Sequence, residues 1–356
     1  MQAIDAAPYL CGPDETLRAV LAALNEAPGN NKFRIVVDEG GRLLGTITDG
    51  DVRRALLAGV GLDDPVRLCM NPHPRFGAPD RQHENWAALS TLASPTPFLP
   101  LIKPDGTVQQ VLLGDRAPVR TAAALVMAGG LGSRLGDITR STPKPLLDVG
   151  GAPILHHIIT RLEQAGIQDV FVSVRYLAEQ VEQFVATRAN RATVSLVHED
   201  EPLGTAGALS LLPRDLGVPV IVMNGDVLTE VDIPAMMAFH RRNGFDITIA
   251  AAQYEITIPY GVIRHGEDGS FTGIDEKPSL RHFVSAGIYV LSPEILALVP
   301  PHQRSDMPEV INRARTIGRG VGVFPIHEYW VDVGRPADLA AAREGFARRP
   351  VLEVAD

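Results

Sequence analysis

The sequence predicts an α/β fold, a doubly wound mixed sheet preceded by a smaller α+β region. Three observations carry this. From residue 122 onward, short apolar runs alternate with amphipathic helical patterns, as crossover connections require. The first of these runs, Ala122 to Met127, ends in the glycine-rich string Gly129-Gly130-Leu131-Gly132-Ser133-Arg134. Ahead of it, residues 14 to 57 read as helix, strand, Gly-Gly turn, strand and helix.

The elements follow in order. Leu17, Val20, Leu21 and Leu24 stand at helical spacing, with Asp14 placed to cap the helix. Val36 and Val37 lead into the turn at Gly40-Gly41, and Leu43 to Ile47 leave it. Thr48-Asp49-Gly50-Asp51 then opens a helix. A weaker copy of the pattern follows, with His83 to Ala93 as its helix and residues 97 to 115 as its strand–turn–strand. Pro118 to Thr121 reads as a linker. In the second region, Pro153 opens a helix over Ile154 to Ala165 that Gly166 ends. Asp169 to Val174 is a strand, Leu177 to Arg188 a helix and Thr193 to Val197 a strand. A short helix closes at Leu209 to Leu212. The buried strand from Val218 to Asn224 runs into Gly225-Asp226. A helix at 234 to 243, a strand at 246 to 252 and a mixed β region to about 291 complete the pattern. Ligands of such a sheet sit where strands end at their carboxyl edge.

Composition narrows the function. A chain of 356 residues suggests two or three domains. The net charge of −9, with no long block of like charge, argues against a nucleic-acid partner, so any phosphate site must be a local gathering of Arg and Lys. Cys11 and Cys69 form no C-x-x-C pair, which removes disulfide frameworks and zinc sites and fits a reduced, cytoplasmic setting. No signal-peptide pattern and no membrane-length apolar run are present, so no membrane partner is expected.

The glycine-rich loop has the chemistry of a triphosphate cradle. Glycines after a buried strand let backbone N–H groups approach an anion closely. Arg134 and Lys144 add two positive charges. A dinucleotide fold is the first rival, but its fingerprint needs glycine where Leu135 stands, with a crossover helix running on from it. Pro143 and Pro145 fall inside that helix, where proline costs roughly 3 kcal/mol.

The string from residue 122 to 155, with GG-x-G-S-R-L and Pro143-Lys144-Pro145, resembles the signature of the sugar-1-phosphate nucleotidyltransferases. The resemblance implies a Rossmann-like, GT-A-like catalytic domain over residues 122–350. It implies transfer of a nucleotidyl group from a nucleoside triphosphate to a sugar 1-phosphate, with release of pyrophosphate, for activated-sugar and surface glycan biosynthesis. Ala128, Gly129, Gly130, Gly132 and Ser133 would hold phosphates, while Arg134 and Lys144 would be its catalytic cations. Asp226, and Asp332 in Trp330-Val331-Asp332-Val333-Gly334, would bind Mg²⁺, which takes one or two carboxylates beside phosphate oxygens. Glu276-Lys277-Pro278 resembles the family's E-K-P, with Lys277 on the sugar phosphate and Glu276 on a hydroxyl. Gly261 and Gly287 would let backbone approach the sugar ring. For these residues the plainer alternatives are surface charges, turn residues and helix caps.

Base choice turns on the stretch Glu201 to Gly207, which resembles the nucleobase loop, with Gly204 and Thr205 in it. A carboxylate accepts the two adjacent donors of guanine, N1–H and N2–H₂, so Glu201 favours GTP. Glu199 and Asp200 are acidic too, which leaves the register open. A uridylyl- or thymidylyltransferase of the same family is the near alternative, and a catalytically silent nucleotide-binding regulator the distant one. His156 and His157 have no metal-ligand partner at i+4 and read as structural.

The first region resembles a CBS motif over about residues 8 to 70, and two copies imply a regulatory CBS pair over residues 1–119. The resemblance implies an adenosine nucleotide at Thr48 and Asp51, for which a helix cap is the alternative. CBS pairs associate, which suggests a homodimer by analogy.

Overall fold

The computed structural model describes residues 2–26, 31–90, 92, 97–114 and 122–347. The expected linker at 118–121 and residues 348–350 of the expected catalytic domain lie outside them, as do Asp115 and Ala93 of the second motif copy. The chain divides into two compact units, Met1–Pro118 and Val119–Asp356. No helix among the described residues is long and apolar enough to cross a membrane.

The first unit contains two three-stranded sheets. In one, Leu10–Cys11 pairs with Phe33–Val37, which pairs with Leu43–Thr48. In the other, Gln2–Asp5 pairs with Val108–Leu113, which pairs with Phe98–Ile102. The two tight turns answer each other. Leu43 N–H donates to Gly106 O at 3.1 Å, and Val108 N–H donates to Gly41 O at 3.0 Å. Tyr9, Phe33 and Phe98 stack, with centroids 4.8 and 3.9 Å apart, so the two sheets share one aromatic core. The helix Leu17–Asn25 is capped by Thr16, whose hydroxyl accepts from Ala19 N–H at 3.3 Å, and not by Asp14. Asp14 instead pairs with Arg67.

The second unit is built on a seven-stranded sheet. Its order is Thr193–His198, Asp169–Val174, Ala123–Met127, Val220–Asn224, Ser279–Leu291, Ile247–Thr257 and Val321–Ile326. The first four strands run parallel, and Ser279–Leu291 runs antiparallel to both of its neighbours. Both faces are covered, so the central strands are apolar throughout: Ala123 to Val126 and Val220 to Met223 are buried on every residue. One core holds Ile154, Leu155 and Ile158 of the helix Ile154–Gln164; the other holds Leu209, Met307 and Val310 across the sheet.

Two features position a site. Strand order reverses between Ala123–Met127 and Val220–Asn224, which opens a crevice at their carboxyl ends. The loop after Met127 is also not an α-helix. It makes a 3₁₀ segment, Ser133–Thr139, broken at Gly136 where φ is +61°, and a second over Lys144–Leu146. The prolines and Gly136 keep the crevice open where a dinucleotide fold would wind a helix.

Candidate active site

At the switch point, the ends of the two central strands touch. Gly225 N–H donates to Met127 O at 2.9 Å, and a Cβ on Gly225 would lie 2.5 Å from that oxygen. Glycine is therefore what lets the residue after it, Asp226, stand beside the Gly-rich loop. Asp332 arrives from 106 residues later by a short antiparallel ladder, Val227–Thr229 with Trp330–Asp332, in which Val227 faces Asp332. Val333 N–H donates to Asp226 O at 3.0 Å. Trp330 Nε1–H donates to Ala286 O at 2.8 Å and pins that ladder to the main sheet.

Four of the expected site residues meet here. Lys144, 8% exposed, forms an ion pair through Nζ with Asp226 Oδ2. The Arg134 guanidinium comes within 3.5 Å of where a Cβ would stand on Gly334, beside Asp332 Oδ1. Burial, then the negative charge of Asp226, push the Asp332 carboxyl up from its ordinary value; Lys144 and Arg134 oppose them. Asp226 Oδ1 and Asp332 Oδ1 are both buried and have no hydrogen-bond partner among the described residues. Unpaired buried carboxylate oxygens are costly unless something positive meets them. A divalent cation that prefers hard oxygen donors fits this pair.

The loop supplies the rest of the cradle. Ala128 N–H donates to Ser173 O at 3.1 Å, which holds Ala128 and Gly129 against the next strand. Gly132 has φ of +63°, and a Cβ there would press on Thr139 Cγ2 at 2.9 Å and Lys144 Cβ at 3.3 Å. Thr139, which sequence reasoning passed over, closes the loop by donating to Gly132 O at 3.0 Å. Gly130, Ser133 and Arg134 are exposed on its open side.

Of the three acidic residues, Glu199 is the buried one, at 8% exposure, and Glu201 and Asp200 are exposed. Glu199 Oε2 accepts from Leu203 N–H at 3.1 Å, and Oε1 lies 2.7 Å from where a Cβ would stand on Gly129. Sequence weighed Glu201 first; the signal for Glu199 was its place directly after the strand Thr193–His198. Thr205 is engaged elsewhere: its N–H and hydroxyl donate to Asp306 Oδ1 at 2.9 and 3.2 Å, and its Oγ accepts from Met307 N–H at 2.9 Å. Gly204, with φ of +78°, packs beside Asp306 in the same cap.

The expected sugar residues lie on two neighbouring features. Gly287, with φ of +70°, abuts the Asn224 side chain, where a Cβ would be 2.6 Å from Nδ2. Gly261 stands against Glu276, 3.1 Å from its Oε2 to the Cβ position. Lys277 is exposed, adopts φ of +46° and makes no ion pair among the described residues.

In the first unit, Thr48 and Asp51 form a capping box on the helix Asp49–Leu57. Asp51 Oδ2 accepts from Thr48 N–H at 2.8 Å and from its hydroxyl at 2.6 Å, and Asp51 N–H donates back to Thr48 Oγ1 at 3.3 Å. His157 is buried with Nε2 2.8 Å from Val149 O, and His156 Nδ1 accepts from Arg188, as structural histidines do.

A parallel switch point with a glycine cradle, the buried Lys144, the exposed Arg134 and two carboxylates that each keep a buried unpartnered oxygen is an arrangement suited to polyphosphate. The chain belongs to the nucleotidyl transferase family, whose model matches residues 123–349, and a CBS domain matches residues 4–58. Enzymes of this family generally use a divalent metal. The chain is 36% identical over 223 residues to the mannose-1-phosphate guanylyltransferase catalytic subunit beta of Drosophila pseudoobscura pseudoobscura, covering 61% of this chain and 60% of that one. It is 33% identical over 225 residues to the mannose-1-phosphate guanyltransferase of Schizosaccharomyces pombe, covering 60% of this chain and 61% of that one. It thus spans about three fifths of the length of these relatives. A solved structure described as a glucose-1-phosphate thymidylyltransferase from Bacillus anthracis shares the fold, at 22% identity and a TM-score of 0.53 over 65% of this chain and 97% of that one.

Proposed function

We propose that this protein transfers a guanylyl group from GTP to a sugar 1-phosphate, mannose 1-phosphate foremost, to give a GDP-sugar and pyrophosphate. One observation carries the reading: Lys144, Arg134 and the unpaired oxygens of Asp226 and Asp332 converge beside the glycine loop at the switch point. The relatives' names support guanylyl transfer and mannose 1-phosphate.

The sugar phosphate is already an anion, so the reaction needs positioning and charge neutralisation rather than a base. Gly129, Gly130 and Gly132 offer backbone donors to the triphosphate. Arg134 forks onto its outer oxygens, and Lys144 neutralises charge where the α-phosphate meets the leaving pyrophosphate. Asp226 and Asp332 would hold the divalent cation, Mg²⁺ in this reading, which supplies further charge neutralisation. Glu199 accepts the guanine N1–H and N2–H₂ donors, the role first considered for Glu201. Gly261, Glu276, Lys277 and Gly287 take the sugar phosphate. The domain matched over residues 4–58 and its apparent second copy act as a regulatory pair that binds an adenosine nucleotide near Thr48 and Asp51. The unpaired Cys11 and Cys69 support a reducing, cytosolic setting.

The test is pyrophosphate release over a panel of GTP, ATP, UTP and dTTP with mannose, heptose, glucose and amino-sugar 1-phosphates. The expected result is GTP preferred at least tenfold in kcat/KM, with Glu199→Gln narrowing that preference and Glu201→Gln leaving it intact. No turnover with any pair would sink the enzyme reading.

A further inference from the structure

Residues 199–206 form no strand or helix, so their backbone groups must find partners elsewhere. They find them in residues 305–307, at the start of the helix Met307–Thr316. Ser305 N–H donates to Leu203 O, and Ala206 N–H donates to Ser305 O, both at 2.9 Å. Between these two bonds, the Thr205 N–H and hydroxyl donate to Asp306 Oδ1, and Met307 N–H donates to Thr205 Oγ1. Two glycines make room for this contact. A Cβ on Gly204 would lie 2.7 Å from Asp306 Oδ1 and 2.8 Å from Ser305 O, and one on Gly207 would lie 2.9 Å from Gln303 O.

The same contact reaches the buried acid of the site. Leu203 is held twice: its O accepts from Ser305, and its N–H donates to Glu199 Oε2 at 3.1 Å. The other Glu199 oxygen, Oε1, stands beside Gly129 of the glycine loop. Leu203, Ala206 and Ser305 are buried, whereas Glu201 and Pro202 are exposed, so the loop is open at its tip and clamped at its base. The Thr205 N–H, above all, holds the Asp306 carboxyl below the usual carboxylate range, against the opposing effect of burial. The bonds to Thr205 are therefore made by a carboxylate, and charge-assisted hydrogen bonds are roughly twice as strong as neutral ones. Asp306 is fixed in turn by its helix, since its own N–H donates to Glu309 Oε2 at 3.2 Å.

We propose that Asp306 is a positioning residue for nucleotide recognition: it sets the backbone of Leu203 to Ala206, and through Leu203 N–H it sets the Glu199 carboxylate that takes the base. The proposal rests on the guanylyl reading for the identity of that base. Asp306 itself touches no substrate; its whole effect passes through Thr205 and Leu203. A loop already ordered before the ligand arrives loses less freedom on binding. The base is remote from the reacting α-phosphorus, so a loosened loop weakens ground state and transition state alike and shows in KM rather than in kcat. A carboxamide keeps an oxygen acceptor for Thr205 N–H and a methyl group keeps none, so asparagine rescues where alanine does not.

The test joins steady-state kinetics in GTP to amide hydrogen exchange of residues 203–206, on the full chain, for wild type, Asp306→Ala and Asp306→Asn. In Asp306→Ala the Leu203 and Thr205 amides are expected to exchange at least tenfold faster. KM for GTP is expected to rise at least tenfold with kcat within threefold, and the preference for GTP over ATP to narrow. Asp306→Asn should stay within threefold of wild type on each measure. A Leu203 amide as protected in Asp306→Ala as in wild type, an unchanged KM, or a loss confined to kcat would overturn the proposal. Thr205→Val removes the hydroxyl from the same link and is read in the same way if Asp306→Ala does not fold. The exchange measurement needs no nucleotide. A wild type that turns over no GTP therefore sinks the guanylyl reading, while the Leu203 amide still decides whether Asp306 holds the loop.

Discussion

Lys144 and Asp226, 82 residues apart in sequence, form an ion pair at the carboxyl edge of the sheet, and the second oxygen of Asp226 meets no partner among the described residues. Asp332 Oδ1 has no hydrogen-bond partner among them either. The lysine answers one oxygen and leaves these two buried oxygens for a further positive charge. Mg²⁺ or Mn²⁺ is expected to raise the thermal midpoint of the wild-type protein through linkage, by RT ln(1 + [L]/Kd). Asp226→Asn and Asp332→Asn should each keep the fold by circular dichroism and lose that increment. An unchanged cation response in both variants would remove these residues as ligands.

Glu163 and Arg188 form a buried pair of a different kind. Their side chains are 3% and 4% exposed, joined at 2.9 and 3.0 Å, and Arg188 also donates to Thr160 Oγ1 at 2.7 Å. Glu163 further accepts from the backbone of Arg191 and Ala192, and despite burial these bonds hold its carboxyl below the usual range. Glu163→Ala strands a buried guanidinium, so it is expected to cost about 3–5 kcal/mol in urea unfolding. A loss under ~1 kcal/mol would show that water reaches the arginine.

Two buried histidines set an acid limit. Burial pushes both His157 and His240 below the ordinary value of 6.5. His240 sits between Thr248 Oγ1 at 2.9 Å and Ser292 Oγ at 3.2 Å. The unfolded chain binds these protons first, so their contribution is full above pH 6.5 and is lost as pH falls from there through the depressed folded values. The urea midpoint should therefore drop between pH 7 and pH 5.5, and drop less steeply in His240→Gln. Parallel pH profiles for the two proteins would contradict this assignment.

Thr48 is expected to act first as a cap. Thr48→Ala removes one half of the capping box and should lower stability by about 1 kcal/mol, with Thr48→Ser restoring most of it. Calorimetry with AMP and ATP on the full chain separates the second role: heat in wild type that vanishes in Thr48→Ala supports a nucleotide there, and its absence from both leaves the cap as the whole function.

Local signals were the legible ones. The strand Asp169–Val174 and the helix after Pro153 were readable because periodicity and Pro/Gly punctuation act within a dozen residues. The glycine loop was readable because Leu135, Pro143 and Pro145 forbid the rival helix. Long-range consequences were not. Nothing in the stretch Glu199 to Glu201 says which acid turns inward; that follows from the parallel pairing of Thr193–His198 with Asp169–Val174, which draws Glu199 N–H onto Val174 O at 3.0 Å. Thr205 matched the nucleobase loop, yet its polar atoms serve a helix cap built 101 residues later.

The central claim is that Asp226 and Asp332 make this cradle a metal-dependent guanylyltransferase site. The most direct measurement is pyrophosphate release from GTP and mannose 1-phosphate with saturating Mg²⁺, for wild type and for Asp226→Asn. The account expects turnover that EDTA abolishes and a loss of at least a hundredfold in kcat for the variant with its fold intact. Turnover that survives EDTA, or a variant within tenfold of wild type, would contradict it.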